Sequence, residues 1–202
     1  MSITRVGLMG GTFDPIHIGH LVCADEAIAR FDLDVVIFIP AGAPWQKPTS
    51  TDAEDRYMMT MLSTASDPRL SVSRIEIDRP GPTYTIDTLE TMSDFFGSDA
   101  LLFFIIGADA VVDILTWSRP DEVLAKATFI AATRPGHSLA DLDDQRLAGH
   151  VLTMQVPGLA ISSSDIRRRV AEGRPIKYLV PAAVAEHIET AGLYRTHAAA
   201  SS

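Results

Sequence analysis

The stretch Gly10-Gly11-Thr12-Phe13-Asp14-Pro15-Ile16-His17-Ile18-Gly19-His20 (GGTFDPIHIGH) decides how the rest of the chain is interpreted. It follows an apolar run, Ile3 to Met9, that predicts a buried strand, and it precedes Leu21 to Phe31, which predicts a helix. The glycines let the backbone approach a ligand with no Cβ in the way. The following helix aims free N–H groups and its positive dipole end into the turn, which suits a phosphate. We therefore predict a polyphosphate-binding turn.

The turn also contains polar side chains that have two interpretations each. His17 and His20 are three residues apart and share one face of the first helical turn, where they offset phosphate charge or form a partly solvated face. A zinc site is disfavoured, because zincins place a Glu between histidines at four-residue spacing. Asp14-Pro15 is either an N-cap followed by proline at the first helical position or a direct part of the site.

Composition limits the classes of partner. The chain has 202 residues, enough for one domain, and a net charge of −9, so no global basic field favours nucleic acid or an anionic membrane. It has one cysteine, Cys23, which we interpret as a packing residue in preference to a catalytic thiol. With no signal-peptide pattern and no apolar run of membrane-spanning length, we predict a cytoplasmic protein. A homo-oligomer is left open.

Strands alternate with helices along the rest of the chain. Further strands are predicted over residues 34–40, 70–77, 101–106, 128–133 and 151–156. Helices are predicted over residues 51–66, 85–96, 110–115, 120–126, 161–173 and 181–191, with Thr51 and Glu54 forming a capping box. This alternation predicts a single-domain, Rossmann-like, doubly wound parallel α/β sheet spanning residues 1–195, followed by a flexible tail at 196–202. The first turn lacks G-x-G-x-x-G, so a dehydrogenase is disfavoured.

Other candidate residues follow the ends of predicted strands. Asp109 lies where open α/β sheets bind ligands, and it either accepts from ribose hydroxyls or caps a short helix. In the loop 41–50, Trp45 and Lys47 have two interpretations. Either both contact a ligand, or Trp45 covers the core and Lys47 lies in solvent. Serines open the helix after residue 161, where hydroxyls and free N–H groups can bind phosphate, and Arg167 follows them.

Four segments together closely resemble bacterial nicotinate-mononucleotide adenylyltransferases of the HxGH nucleotidyltransferase superfamily. They are GGTFDPIHIGH, Pro82-Thr83-Tyr84-Thr85, Gly107-Ala108-Asp109 with Trp117, and ISSSDIR at residues 161–167. The first and last occur in varied form in sister transferases, whereas the middle two, with the chain length, indicate nicotinate mononucleotide. The resemblance implies transfer of AMP from ATP to that mononucleotide in NAD biosynthesis, giving deamido-NAD and pyrophosphate, with Mg²⁺.

The resemblance also implies residue roles. It assigns catalytic roles to His17, His20 and Arg167, and it does not identify the metal ligands. ATP binding is implied for Gly10, Gly11, Thr12, Phe13, His17, His20, Ile161, Ser163, Ser164 and Arg167. Binding of the mononucleotide is implied for Thr85, Gly107, Asp109, Trp117 and Arg134, with Trp45 and Lys47 as a lid.

Three alternative assignments fit the sequence less well. HIGH at residues 17–20 also occurs in class I aminoacyl-tRNA synthetases, but this chain is short, acidic and without a KMSKS-like loop. A phosphopantetheine adenylyltransferase is usually shorter and has Thr in place of the first histidine. A nucleotide-sensing module without turnover is disfavoured by the intact His17, His20 and Arg167, and it would release no pyrophosphate.

Overall fold

Six parallel strands form one sheet in the order β3-β2-β1-β4-β5-β6. The computed structural model describes residues 4–42, 49–133 and 145–195. The strands are β1 Arg5–Gly11, β2 Val35–Pro40, β3 Leu70–Val72, β4 Leu101–Gly107, β5 Thr128–Thr133 and β6 Val151–Gln155. The predicted doubly wound parallel α/β fold is thus confirmed, and the direction of winding reverses between β1 and β4.

Helices cover both faces of the sheet. They are α1 Ile18–Phe31, α2 Ala53–Thr64, α3 Thr85–Phe96, α4 Pro120–Lys126, α5 Ser163–Ala171 and α6 Ala182–Thr190, with 3₁₀ turns at Ala108–Ala110 and Val112–Thr116. One apolar cluster packs α1, α5 and α6 on the sheet, and a second packs α3 and α4 on the opposite face. Because both faces are covered, central strands are apolar throughout, as in residues 102–105 of β4, which are all buried. None of the helices in the described ranges is both long and apolar enough to cross a membrane.

The third strand is much shorter than its sequence pattern predicts. It ends at Val72 instead of residue 77, and residues 75–77 form a turn. This strand lies at the sheet edge and pairs only with Val36–Phe38 of β2. Because β2 itself ends at Pro40, an alternating pattern that continues to residue 77 runs past the end of its one neighbour. In the turn, the Glu76 carboxylate instead accepts hydrogen bonds from Thr83 and Thr88.

One predicted helix start is wrong, and one of the two interpretations of Asp14 is excluded. Helix α1 begins at Ile18 with His17 at the N-cap position, and Asp14-Pro15, joined by a cis peptide bond, precedes the helix. Asp14 is therefore not an N-cap. Helix α2 begins after Asp52, whose carboxylate accepts from the Asp55 N–H at 2.8 Å, so the predicted Thr51 capping box does not form. Thr51 bonds elsewhere, to Asp14.

Several predictions fall outside the described residues. These are the loop residues Trp45 and Lys47, Arg134 with most of the connector that follows it, and the tail at 196–202.

Candidate active site

A cavity of about 520 Å³ opens at the carboxyl ends of β1 and β4. These two strands flank the point where the sheet's winding reverses, which is the usual ligand position in open α/β sheets. Every residue implicated in ATP binding by the resemblance lines this cavity: Gly10, Gly11, Thr12, Phe13, His17, His20, Ile161, Ser163, Ser164 and Arg167. The two segments 10–20 and 161–167, far apart in the sequence, thus form one site.

The two histidines hold one another in a fixed arrangement. Their rings stack with centroids 3.7 Å apart, and the backbone N–H of His17 donates to Nδ1 of His20 at 3.1 Å. Because Nδ1 accepts, the neutral His20 ring carries its proton on Nε2. Burial, reinforced by the nearby His17, lowers the pKa of His20 to about 3. His20 is therefore a neutral hydrogen-bond donor at ordinary pH.

Phe13 supports the His20 ring from the side. Its backbone has φ +51°, a left-handed conformation that is uncommon for an aromatic residue. The Phe13 ring meets His20 edge-on, with centroids 5.1 Å apart, and contacts Phe38 in the same way at 5.6 Å. A Cβ on Gly11 would lie 2.9 Å from the tip of the Phe13 ring. Gly11 therefore leaves room for the ring that packs against His20, a reason additional to close ligand approach.

Asp14 joins four parts of the chain. Its side chain is only 3% exposed, and its carboxylate accepts from the Ser50 N–H at 2.6 Å, the Thr51 hydroxyl at 2.9 Å and the Tyr194 hydroxyl at 2.7 Å. Its backbone carbonyl accepts from Arg167 at 2.7 Å. With three donors on its carboxylate, Asp14 acts as a structural acceptor within the site. Sequence reasoning missed Thr51 and Tyr194 as its partners.

The start of α5 is held against the same loop. Ser162 caps the helix, accepting from the Asp165 N–H at 3.2 Å. The Ser163 hydroxyl donates to the Pro15 carbonyl at 2.8 Å, so its donor is used within the protein and its backbone N–H is what it can offer to a phosphate. Arg168 pairs with Asp165, as does Arg169. Arg167 alone of these three arginines lines the cavity.

A buried arginine ties the first turn to the end of β2. Arg56 is 1% exposed and donates to the Thr12 carbonyl at 2.9 Å and the Gly42 carbonyl at 3.1 Å. Burial lowers its pKa, and the neighbouring Asp14 opposes that shift. Sequence reasoning missed Arg56, although it lies at helical spacing with the buried Met59 and Ser63 of α2.

The residues that the resemblance implicates in binding the mononucleotide do not all line this cavity. Gly107, at the end of β4, lines the cavity, whereas Thr85, Asp109 and Trp117 are not among its lining residues. Asp109 is exposed in the 3₁₀ turn that directly follows Gly107, and Gly107 is the N-cap of that turn. Trp117 packs edge-on against the core rings Phe104 and Phe129.

Thr85 opens α3, as the sequence predicts. The first backbone bonds of this helix run from Asp87 and Thr88 to the Tyr84 carbonyl, so the N–H groups of Thr85 and Ile86 precede the intrahelical ladder. Glu76 fixes the segment leading into α3 by accepting from the Thr83 hydroxyl at 3.2 Å and the Thr88 hydroxyl at 2.8 Å. Burial raises the pKa of Glu76.

Two further features of the site concern its thiol and its possible metal ligands. Cys23 lines the cavity, and burial raises the pKa of its thiol to about 12, so it is a packing residue and not a nucleophile. Within the described ranges, no group of three or more His, Cys, Asp or Glu side chains is arranged to hold a metal ion. Mg²⁺ fits such a site only in the form it commonly takes with nucleotides, bound mainly by phosphate oxygens and water.

Comparisons with known proteins find sequence relatives over most of the chain. Residues 8–169 match the cytidylyltransferase-like family model. A protein of Streptomyces coelicolor named "Probable nicotinate-nucleotide adenylyltransferase" is 54% identical over 93% of this chain and 99% of its own length. An Acidothermus cellulolyticus protein of the same name is 51% identical over 95% of this chain and 94% of its own.

A solved structure shares the fold despite low sequence identity. The Plasmodium falciparum nicotinic acid mononucleotide adenylyltransferase complexed with NaAD has a TM-score of 0.78 at 19% identity, covering 95% of this chain and 97% of its own. The extent of the sequence matches leads to one assignment. The chain belongs to the nicotinate-nucleotide adenylyltransferase family, within the cytidylyltransferase-like proteins.

Proposed function

We propose that the chain transfers AMP from ATP to nicotinate mononucleotide, with Mg²⁺, in NAD biosynthesis. A phosphate oxygen of the mononucleotide bonds to the α-phosphorus of ATP, and the bond from that phosphorus to the bridging oxygen breaks. Deamido-NAD forms and pyrophosphate leaves. The observation that carries this proposal is the cavity at the β1–β4 reversal, lined by both segments that we propose to bind phosphate.

The reaction needs positioning and charge stabilisation more than proton transfer. The attacking phosphate has a second pKa near 6, so it is already largely ionised at neutral pH and needs no general base. The difficulty is to bring two polyanions together in line and to stabilise the leaving pyrophosphate. Mg²⁺, when bound with ATP, neutralises part of the phosphate charge.

This chain's own residues supply the rest. His20 presents a neutral Nε2–H donor whose orientation is fixed by its Nδ1 bond to the His17 N–H. Arg167 contributes a permanent positive charge, and its planar fork suits phosphate oxygens. The N-terminus of α5 adds backbone N–H donors, whereas at the start of α1 the Ile18 N–H already donates to the Leu179 carbonyl at 3.0 Å. These donors are in place before ATP binds, which favours stabilisation of the transition state.

Substrate choice is proposed from the start of α3. Its first N–H groups and positive dipole end favour the carboxylate of nicotinate, which only accepts hydrogen bonds. A carboxamide would aim an NH₂ donor at backbone donors. Water relieves part of that mismatch, so we expect a preference for nicotinate over nicotinamide mononucleotide of at least about 10²-fold in kcat/KM.

The test is pyrophosphate release from ATP with nicotinate mononucleotide, nicotinamide mononucleotide or neither, with the dinucleotide product identified by chromatography. Release is expected only with a mononucleotide and only after Mg²⁺ is added back to chelator-treated protein. Equal kcat/KM values for nicotinate and nicotinamide mononucleotide would refute only the proposed choice of substrate, and not adenylyl transfer itself. ATP binding without release under any condition would refute turnover and favour a nucleotide-sensing module.

A further inference from the structure

The C-terminal end of the described chain turns back onto the phosphate-binding loop. Helix α6 is closed by backbone bonds from Gly192 to Glu189 and from Leu193 to Ile188. Gly192 and Tyr194 both have positive φ, at 65° and 60°. This capped turn gives Tyr194 a defined direction, towards Asp14.

The Tyr194 ring packs against the core, and its hydroxyl in addition forms a specific hydrogen bond with Asp14. It donates to Oδ1 of Asp14 at 2.7 Å, the same oxygen that accepts from Thr51, while Oδ2 accepts from the Ser50 N–H. Burial raises the pKa of Tyr194, so its hydroxyl stays protonated and able to donate throughout the working pH range.

Asp14 connects this bond to the proposed phosphate-binding groups. Its backbone carbonyl accepts from Arg167 at 2.7 Å, and the next carbonyl, that of Pro15, accepts from Ser163 at 2.8 Å. Tyr194 and Arg167 are also near enough to interact electrostatically. Holding the Asp14 side chain therefore fixes two successive carbonyl groups on which the start of α5 is aligned.

We propose that Tyr194 is a positioning residue for adenylyl transfer: its hydroxyl holds Asp14, whose backbone carbonyl orients Arg167 towards the phosphates of ATP. This inference rests on the proposed function, because the phosphates are those of the proposed substrate. Tyr194 touches no reacting atom. Its effect passes through the placement of a guanidinium, and small displacements of a positioned group lower turnover strongly.

The variant Tyr194→Phe removes only the hydroxyl. We expect kcat to fall about tenfold, with the KM for nicotinate mononucleotide changed less than about twofold, because the lost alignment concerns the transferring phosphates. Tyr178→Phe is the matched control: Tyr178 is 80% exposed, and its variant should retain the parent kcat. A kcat for Tyr194→Phe equal to that of the control overturns the proposal.

A double-mutant cycle separates positioning from a merely structural role. If Tyr194 acts through Arg167, adding Tyr194→Phe to Arg167→Lys should lower kcat by less than about twofold. A further tenfold loss in that background would show independent effects and overturn the proposed route.

Binding provides a second readout that needs no turnover. The affinity for α,β-methylene-ATP with Mg²⁺, measured by calorimetry on the same four proteins, should show the same non-additivity. Additive losses of affinity would overturn the proposal that Tyr194 acts through Arg167, even if Arg167→Lys were catalytically inactive. Absence of pyrophosphate release from the parent protein would instead refute the proposed function, so the two failures are distinguishable.

Discussion

Acid should destabilise this protein through His20 in particular. The ring is neutral in the fold, with its pKa lowered from 6.5 to about 3 by burial and by His17. Between those two values the unfolded chain binds a proton that the folded chain does not. The free energy of unfolding therefore falls as the pH falls below 6.5, and the stability contributed by the neutral ring is fully present only above that value.

The size of the effect follows from the shift in pKa. Each pH unit below the unfolded pKa of 6.5 costs about 1.4 kcal/mol until the folded pKa is reached. Between pH 7.5 and pH 5.0 the loss is thus about 2 kcal/mol. Because His20 is only half-buried, solvent screening weakens the effect, and this loss of stability is an upper limit.

The assay compares urea unfolding of the parent protein and of His20→Asn at pH 7.5 and pH 5.0. Asparagine offers an acceptor for the His17 N–H but does not titrate. The parent should lose about 2 kcal/mol more than this variant between the two pH values. His150→Asn leaves the His20 ring in place, so this control should retain the acid sensitivity that His20 contributes.

Nitrogen NMR of the imidazole ring tests the cause directly. We expect His20 to carry its proton on Nε2 and to show no titration down to pH 5. A ring that titrates near its ordinary pKa of 6.5, or one protonated on Nδ1, would refute the assignment of His20 as a neutral donor. Equal acid sensitivity of the parent and His20→Asn would refute the linkage argument.

Three further substitutions test other contacts in the site. Gly11→Ala should lower kcat at least tenfold in steady-state assays, because the new Cβ displaces the Phe13 ring that packs on His20. Arg56→Met should lower the free energy of unfolding by about 3 kcal/mol in urea titrations, since two buried carbonyls lose a charged donor. Arg167→Lys should lose kcat/KM about 10²-fold, whereas Arg168→Lys, whose side chain is 63% exposed, should match the parent; equal losses would mean that α5 is oriented wrongly.

The sequence predicts the sheet well because central parallel strands have a simple signature. Strands β1, β2 and β4 are continuous apolar runs, since helices cover both of their faces. The edge strand β3 carries a weaker signal. An alternating pattern records which side chains face the interior, but it does not record whether a neighbouring strand is present, so the predicted length was too long.

The starts of the helices were harder to predict because short polar residues have several roles. Asp14 and Thr51 are both favoured N-cap types, and local sequence gives no sign that they bond to each other. Their bond joins residues 37 positions apart, and the Tyr194 bond to Asp14 spans 180 positions. Only the fold brings these donors and acceptors together.

The distribution of charge explains why alignment matters so much in this site. The chain carries a net charge of −9 and yet must bind polyanions. Among the described residues that line the cavity, Arg167 is the only Lys or Arg, and His20 is neutral. Attraction by bulk charge is therefore weak, and among these residues we expect phosphate binding to depend on neutral N–H donors and the Arg167 guanidinium, held at fixed positions. Such a site tolerates little displacement, and the bonds from Thr51, Tyr194 and Arg167 to Asp14 restrain the loop that carries those donors.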